Sequence, residues 1–449
     1  MKSRILPILI ALSAALVPMV SHAENIIDID GAESTAIGIY IKDIATGEVL
    51  VDHNASLALT PASVTKAVTT ATALATLGPD FCFTTTVELD GKRSSTRSRW
   101  NGNIIINASG DPTVGSTEFK ITEGFTDSIV SGLQRLGIST IAGDIIIRES
   151  LSDAGPCPTW EVEDIAWPYG AGLFGFNYRG NAVRLYPGRG NSVPASDLQA
   201  KTYKSDRTDV LRGVGSNDVM VWTTDKNLKN KAWNVMVTVP DPAGVYARLL
   251  ISRLKEAGIS VAGKKYEETD SRTTVYVNRS PSLNVMCRNL MKRSDNLFAE
   301  GMLRALRQGE SRDKCIKYEK EFWAMQGLPS QYTIIRDGSG LTRANRLSPL
   351  FLAGVLEWMA ASPLAADYLD YFPVAGVDGT LKSFLAKTRL KGHLALKTGS
   401  VSAVQTYAGY KLDAEGKPTH VVVIMVNGFF CSRADLRKAL EKFLLDTFE

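Results

Sequence analysis

The chain has 449 residues, 44% hydrophobic and 22% charged, with 51 Lys and Arg against 47 Asp and Glu and a formal net charge of +4. That length suggests roughly three domains, and the composition is that of a globular protein with a large core. So even a charge balance gives no basis for a nucleic-acid or anionic-membrane binder.

The N-terminus reads as a secretory signal peptide. Lys2 and Arg4 precede an apolar run over residues 5–20, and Ser21-His22-Ala23 has the small-x-small cleavage pattern, so the mature chain is expected to begin near Glu24. Pro7 and Pro18 interrupt the run, and no cysteine follows the cleavage point to carry a lipid. No later stretch is long and apolar enough to span a bilayer.

Alternation of Ile37, Ile39 and Ile41 with Gly38, Tyr40 and Lys42 predicts a strand, and Ala45-Thr46-Gly47 turns it into a second strand at 48–52. A helix is predicted from Ser63 to Leu77, stopped by Gly78-Pro79. A helix at 127–136, Gly137-Ile138-Ser139 and a strand at 144–147 are echoed later by a helix at 245–257 and Gly258-Ile259-Ser260. The shared L-x-x-x-G-I-S pattern suggests two related halves of one inserted unit, with about 171–242 nested inside it. Near the C-terminus, strands at 406–412 and 420–426 flank Ala414-Glu415-Gly416-Lys417, and 433–448 is an amphipathic helix. Both chain ends therefore contribute to one α+β domain.

Several chemistries have few residues to draw on. Five cysteines (Cys82, Cys157, Cys287, Cys315, Cys431) leave at least one unpaired within the chain, and the sequence does not give a pairing. There is no C-x-x-C or H-E-x-x-H, and the mature chain has three histidines. Gly170-Ala171-Gly172-Leu173-Phe174-Gly175 fits G-x-G-x-x-G but lacks the flanking strand and helix of a dinucleotide site, so it reads as a loop.

S-x-x-K occurs three times, at Ser63–Lys66, Ser252–Lys255 and Ser311–Lys314. Ser63 follows Thr60-Pro61-Ala62 and should lie in the first helical turn, where free N–H groups favour an anion. Ser252 lies inside a helix, and Ser311 lies in a charged stretch. The i,i+3 spacing puts Ser63 and Lys66 on one face. A lysine acts as a base only when neutral, and burial or a second cation lowers its pKa from about 10.4. Lys397-Thr398-Gly399-Ser400, in a strand-like context, can supply that cation. Ser294-Asp295-Asn296 precedes the helical run 297–303. Asp295 itself reads equally well as a turn carboxylate. The ordered triplet S-x-x-K, S-D-N, K-T-G is the signature of penicillin-recognising serine enzymes.

With these motifs, and with "TGEVLVDHNASLALTPAS", "GNIIINASGDPT", "RDGSGLTRANRLSP" and "FPVAGVDGTLK", the chain resembles the class C low-molecular-mass penicillin-binding proteins of the penicillin-binding protein 4 type. The long interval between Ser63 and Ser294 fits that class and not a class A β-lactamase. Thr342, where the family usually has serine, and Cys157-Pro158 in "GPCPTWEVED" depart from its pattern.

The resemblance implies an α+β, β-lactamase/transpeptidase-like domain with a helix-flanked antiparallel sheet and two smaller inserts. The expected division is 24–85 and 269–449 for the peptidase domain, 86–170 and 243–268 for one insert, and 171–242 for the nested one. It implies a periplasmic serine D-Ala-D-Ala carboxypeptidase/endopeptidase, extracellular if the source has no outer membrane. Its partners would be peptidoglycan stem peptides and, as covalent inhibitors, β-lactams, with no nucleic acid, cofactor or metal. Oligomeric state is left open, a dimer included.

By the same resemblance, Ser63 is the nucleophile, Lys66 the base, Ser294 a proton relay, and Asn296 an orienting amide. Lys397 is the second cation, Thr398 binds the terminal carboxylate, and Ser63 and Ser400 N–H form the oxyanion hole beside Gly399. Arg343 is a candidate for a stem-peptide carboxylate, whereas Asp337-Gly338-Ser339-Gly340 and Gly110-Asp111-Pro112 read as turns. A β-lactamase is the alternative, but no E-x-x-L-N segment is present. A non-catalytic wall-binding protein would not need Ser63, Lys66 and Lys397 together.

Overall fold

The computed structural model describes residues 26–449, so the expected signal peptide lies outside the described residues. The two chain ends meet in a five-stranded antiparallel sheet ordered Leu394–Val401, Val404–Leu412, Pro418–Asn427, Ala36–Asp43, Val49–His53. Both of its faces are covered. Ile37, Ile39, Ile41, Val422, Ile424 and Val426 pack under Leu436, Leu440 and Leu444 of the C-terminal helix Arg433–Thr447. The alternate residues Tyr40, Val421, Val423 and Met425 face a second core built around the helix Thr65–Leu77.

That helix is Ala/Thr-rich because it is enclosed. Every residue from Thr65 to Leu74 is buried, so no charged face is possible and small side chains let neighbouring elements approach. Its threonines satisfy their hydroxyls on its own backbone: Thr70 donates to Lys66 O (2.7 Å) and Thr76 to Thr72 O (2.7 Å). Asn296–Ala305 and Leu283–Arg293 pack against it.

Between the peptide segments that build this core, the chain makes two further groups of sheets. In the first, Arg272–Arg279, Thr84–Asp90, Ile104–Asn107 and Ile145–Arg148 form one sheet, and Ser260–Val261, Thr140–Ile141, Arg99–Asn101 and Lys92–Arg93 another. The strand Arg272–Arg279 pairs antiparallel with Thr84–Asp90, so the expected boundary at 85/86 falls within this strand pair and that at 268/269 just before it. The two L-x-x-x-G-I-S units lie side by side, with Ser260–Val261 parallel to Thr140–Ile141. Each of their helices, Phe125–Arg135 and Pro242–Glu256, ends alike. Ile138 N donates to Leu133 O and Ile259 N to Leu254 O, around Gly137 (φ 66°) and Gly258 (φ 79°).

The second group is two three-stranded sheets within residues 182–238, over a core including Val183, Leu185, Val219, Val221 and Val237. The G-x-G-x-x-G stretch is a packed loop, with no room for a side chain at Gly172 against Pro156 or at Gly175 against Glu149. All five cysteines are free thiols. Among the described residues no helix is long and apolar enough to cross a membrane.

Candidate active site

Helical backbone begins at about Ser63, as the sequence predicts, but its first turn is not α-helical. Ala62–Val64 forms a single 3-10 turn, and the α-helix starts at Thr65. Ala62 has a φ of 47°, a left-handed conformation that costs a non-glycine residue about 1 kcal/mol or more. It is fully buried, and its carbonyl is pressed by Gly340, where a Cβ would stand 1.9 Å away. From Leu59 to Leu74, Ser63 alone is not buried. The surrounding core therefore holds a strained turn that brings one hydroxyl to the surface.

Lys66 is completely buried beneath it. Its Nζ lies 2.9 Å from Ser63 Oγ, 2.6 Å from Asn296 Oδ1 and 2.6 Å from the carbonyl of Ser339. Asn296 Nδ2 donates to Tyr169 O (2.7 Å), which fixes the amide with its oxygen towards Lys66. The latter two acceptors are obligate. A neutral lysine uses its two N–H groups on them and leaves its lone pair to the Ser63 O–H. Burial lowers the Lys66 pKa to about 8, although the carboxylates of Asp337, Asp295 and Glu300 pull it upward.

The second motif sits at a joint between helices. Ser294 (φ 62°) closes Leu283–Arg293, and Asp295 caps Asn296–Ala305 by accepting from Phe298 N (2.9 Å). The Asp295 carboxylate is thus a helix cap. Lys397 Nζ donates to Ser294 Oγ (2.9 Å) and to Thr398 O (2.6 Å). Its pKa is pushed well below the ordinary lysine value, first by burial and then by Lys66. Burial, one of the two causes the sequence reading named for a depressed Lys66, is the larger one, and the two lysine charges repel each other.

The third motif lies in the edge strand Leu394–Val401. Thr398 Oγ1 donates to Thr380 Oγ1 (2.8 Å), and the Ser400 hydroxyl donates to Gln405 Oε1 (3.0 Å). At Gly399 a Cβ would meet Thr406 Oγ1 at 2.1 Å, Pro61 O at 2.6 Å and Ser63 N at 2.9 Å. Only glycine lets the strand lie this close to the turn that carries Ser63. A cleft of about 630 Å³ opens beside Ser294 and Asn296, walled by Tyr169, Arg179, Arg184 and Arg293.

Sequence reasoning missed four contributors. The Asp337-Gly338-Ser339-Gly340 turn supplies the Ser339 carbonyl to Lys66, and Glu300 accepts from the N–H groups of Gly338 and Ser339. Tyr169 orients Asn296 through its carbonyl. Arg433 donates to Ser400 Oγ, Gln405 Oε1, Val404 O and Val401 O at the end of the hairpin. A glutamate inside a predicted helical run was the only visible signal for Glu300, because the other contacts are backbone or long-range. Arg343 is exposed and lies 3.6 Å from Glu161, outside this hydrogen-bonded cluster. The two departures from the family pattern lie in neighbouring segments: Thr342 Oγ1 donates to Thr159, which follows Cys157-Pro158, and Cys157 packs with Trp160 and Leu341. Gly110-Asp111-Pro112 is a turn, with Asp111 buried against Thr113.

Residues 21–445 match the D-Ala-D-Ala carboxypeptidase 3 (S13) family. The chain belongs to that family. This S13 chain is 25% identical over 445 residues to D-alanyl-D-alanine carboxypeptidase DacB of Haemophilus influenzae, covering 93% of this chain and 90% of the relative. It is 24% identical over 453 residues to the D-alanyl-D-alanine carboxypeptidase of Actinomadura sp. (strain R39), covering 92% and 82%. Its fold is that of penicillin binding protein 4 from H. influenzae, with a TM-score of 0.77 at 23% identity over 93% of this chain and 97% of the other. That protein is also known complexed with a β-lactam.

Proposed function

We propose that this S13 serine D,D-peptidase cleaves the terminal D-Ala-D-Ala bond of peptidoglycan stem peptides through an acyl-enzyme on Ser63. Lys66 takes the hydroxyl proton as Oγ attacks the scissile carbonyl, and the N–H groups of Ser63 and Ser400 receive the developing oxyanion. Collapse of the tetrahedral intermediate breaks the C–N bond, while Ser294 delivers a proton to the leaving amine from Lys66 or Lys397. Water, activated in the same way, then releases the acyl group. Asn296 orients Lys66 and meets the substrate amide. Thr398 and Lys397 receive the terminal carboxylate, and Arg343 a carboxylate farther along the stem.

The observation that carries the reading is the position of the Lys66 amine: 2.9 Å from Ser63 Oγ, with Asn296 and Ser339 placed to take both N–H groups of its neutral form. A β-lactam would acylate the same hydroxyl. Export to the periplasm, and a division into a peptidase unit (24–85, 269–449) with inserts at 86–170 with 243–268 and at 171–242, belong to the same proposal. Because Arg272–Arg279 pairs with Thr84–Asp90, that strand pair is better assigned to the first insert.

Covalent labelling with a fluorescent penicillin tests the nucleophile. Wild type should take one label per chain and Ser63→Ala none; equal labelling of the two would overturn the assignment. Digestion of purified muropeptides, scored for free D-Ala against cleaved cross-links, then separates carboxypeptidase from endopeptidase turnover.

A further inference from the structure

Glu300 is a charged residue with 1% exposure, on a helix (Asn296–Ala305) whose every residue is buried. Its Oε1 accepts from two consecutive backbone N–H groups, Gly338 (3.0 Å) and Ser339 (2.9 Å). The loop can reach it because Gly338 has no side chain. A Cβ there would meet Leu303 Cβ at 2.9 Å and Ala299 O at 3.0 Å, both on the same helix. Across the loop, Gly340 (φ 74°) abuts the Ala62 carbonyl. The loop is therefore clamped between Glu300 and the turn that carries Ser63. The carbonyl of Ser339 points from this clamp at Lys66 Nζ, 2.6 Å away.

We propose that Glu300 is a positioning residue for the nucleophile: by holding the Gly338 and Ser339 amides it aims the Ser339 carbonyl, which with Asn296 Oδ1 directs the Lys66 lone pair at Ser63. This rests on Lys66 being the base. Hydrogen bonding alone does not require a carboxylate, since Oε2 has no hydrogen-bond partner among the described residues and its nearest cation, Arg312 Nε, is 3.9 Å away. The charge has a separate effect, on the proton affinity of Lys66. The charged groups acting on Lys66 are Asp337 from the loop, Asp295 and Glu300 from the helix and its cap, and Lys397 from the strand. Those around Glu300 are Asp337, Arg312, Glu319 and the Cys157 thiol.

Two substitutions separate the effects. Glu300→Ala removes the anchor, and the rate of acylation by a fluorescent penicillin should fall about a hundredfold, as for a catalytic group displaced by an ångström. Glu300→Gln keeps a carbonyl for the two amides and removes the charge. It should lose far less rate than Glu300→Ala, and the acid limb of its acylation–pH profile should move to lower pH in its upper part, near pH 7–8, because burial raises the Glu300 carboxyl to about 7 and only above that value does the anion hold the Lys66 proton. An unmoved limb with equal losses in both variants would overturn the proposal, as would wild-type rates in both. If Glu300→Ala does not fold, Glu300→Asp, which keeps the charge but withdraws it from the Gly338 and Ser339 amides, takes its place, and a wild-type acylation rate there would overturn the proposal. Absence of labelling in wild type would instead strike at Ser63 and Lys66.

Discussion

Gly399→Ala adds one methyl group at the closest approach of strand and nucleophile. The new carbon would stand 2.6 Å from Pro61 O, 2.9 Å from Ser63 N and 2.1 Å from Thr406 Oγ1. Non-bonded heavy atoms rest near 3.5 Å, so the strand must withdraw by roughly 0.6–0.9 Å from the turn. Rotating Thr406 away would relieve the shortest contact, but its hydroxyl donates to Pro61 O (2.7 Å) in a buried setting. Loss of that bond costs about 1 kcal/mol, and the overpacking a further 1–3 kcal/mol or so. The catalytic cost should exceed the structural one, because the methyl lies against the Ser63 N–H and displaces the strand that carries Ser400. A displacement of this size costs about a hundredfold in rate. Stopped-flow acylation by a fluorescent penicillin, with thermal unfolding on the same preparation, measures both. Acylation within about threefold of wild type in a destabilised variant would refute the idea that this contact sets the oxyanion geometry.

With the Lys66 pKa near 8, acylation should rise up to about tenfold per pH unit below that value and then level; a flat profile from pH 6 to 9 would exclude neutral Lys66 as the base. Stability should show two opposed windows. Glu319, buried with Oε1 accepting from Thr72 (3.2 Å) and its other oxygen unpartnered, has a pKa raised from 4.5 to about 8 by burial. Its folded form binds the extra proton, so stability falls as pH rises between these values, by at most about 1.4 kcal/mol per unit. Glu319→Gln removes this slope, and urea titrations should find it more stable than wild type at pH 8.5, with the gap closing toward pH 5. The depressed pKa of Lys66 acts oppositely, adding stability as pH rises from about 8 towards the unfolded lysine value near 10.4, and the depressed pKa of Lys397 works in the same direction. Arg433→Ala frees the hairpin end at Ser400, and kcat/KM for D-Ala-D-Ala peptides should drop about tenfold, the value of one charge-assisted hydrogen bond, with unfolding little changed.

The placement of the three motifs was legible because each is side-chain chemistry at a place that local rules can find: a helix start, a capped helix joint and a strand. The rival S-x-x-K matches have ordinary duties. Ser252 is exposed and donates to Glu256 (3.5 Å), and Ser311 caps Arg312–Met325 by accepting from Lys314 N (3.4 Å). The left-handed Ala62 was not legible, since alanine carries no sign of positive φ and the constraint comes from Gly340, far along the chain. Nor was the Ser339 carbonyl, because every residue owns a carbonyl and only tertiary packing chooses which one meets a lysine. The pairing of Arg272–Arg279 was not legible for a related reason: its partner Thr84–Asp90 lies almost two hundred residues earlier.

Two depressed lysines in one site raise the question of where the positive charge resides before and after substrate arrives. In the free enzyme, Lys66 has three carboxylates favouring its proton, whereas Lys397 faces burial and the charge on Lys66. The proton therefore prefers Lys66, which is the wrong lysine for a base. A substrate carboxylate at Thr398 lies beside Lys397 and raises its pKa; a charged Lys397 in turn lowers that of Lys66. The substrate's own terminal charge would then move the site towards its reactive protonation state. A D-Ala-D-Ala peptide with its C-terminus amidated lacks that charge. Its single-turnover acylation at saturation should show an acid limb at higher pH than the free acid does, while the kcat/KM limbs, which report the free enzyme, coincide. Identical limbs at saturation for acid and amide would mean that the carboxylate binds without redistributing the charge between Lys66 and Lys397.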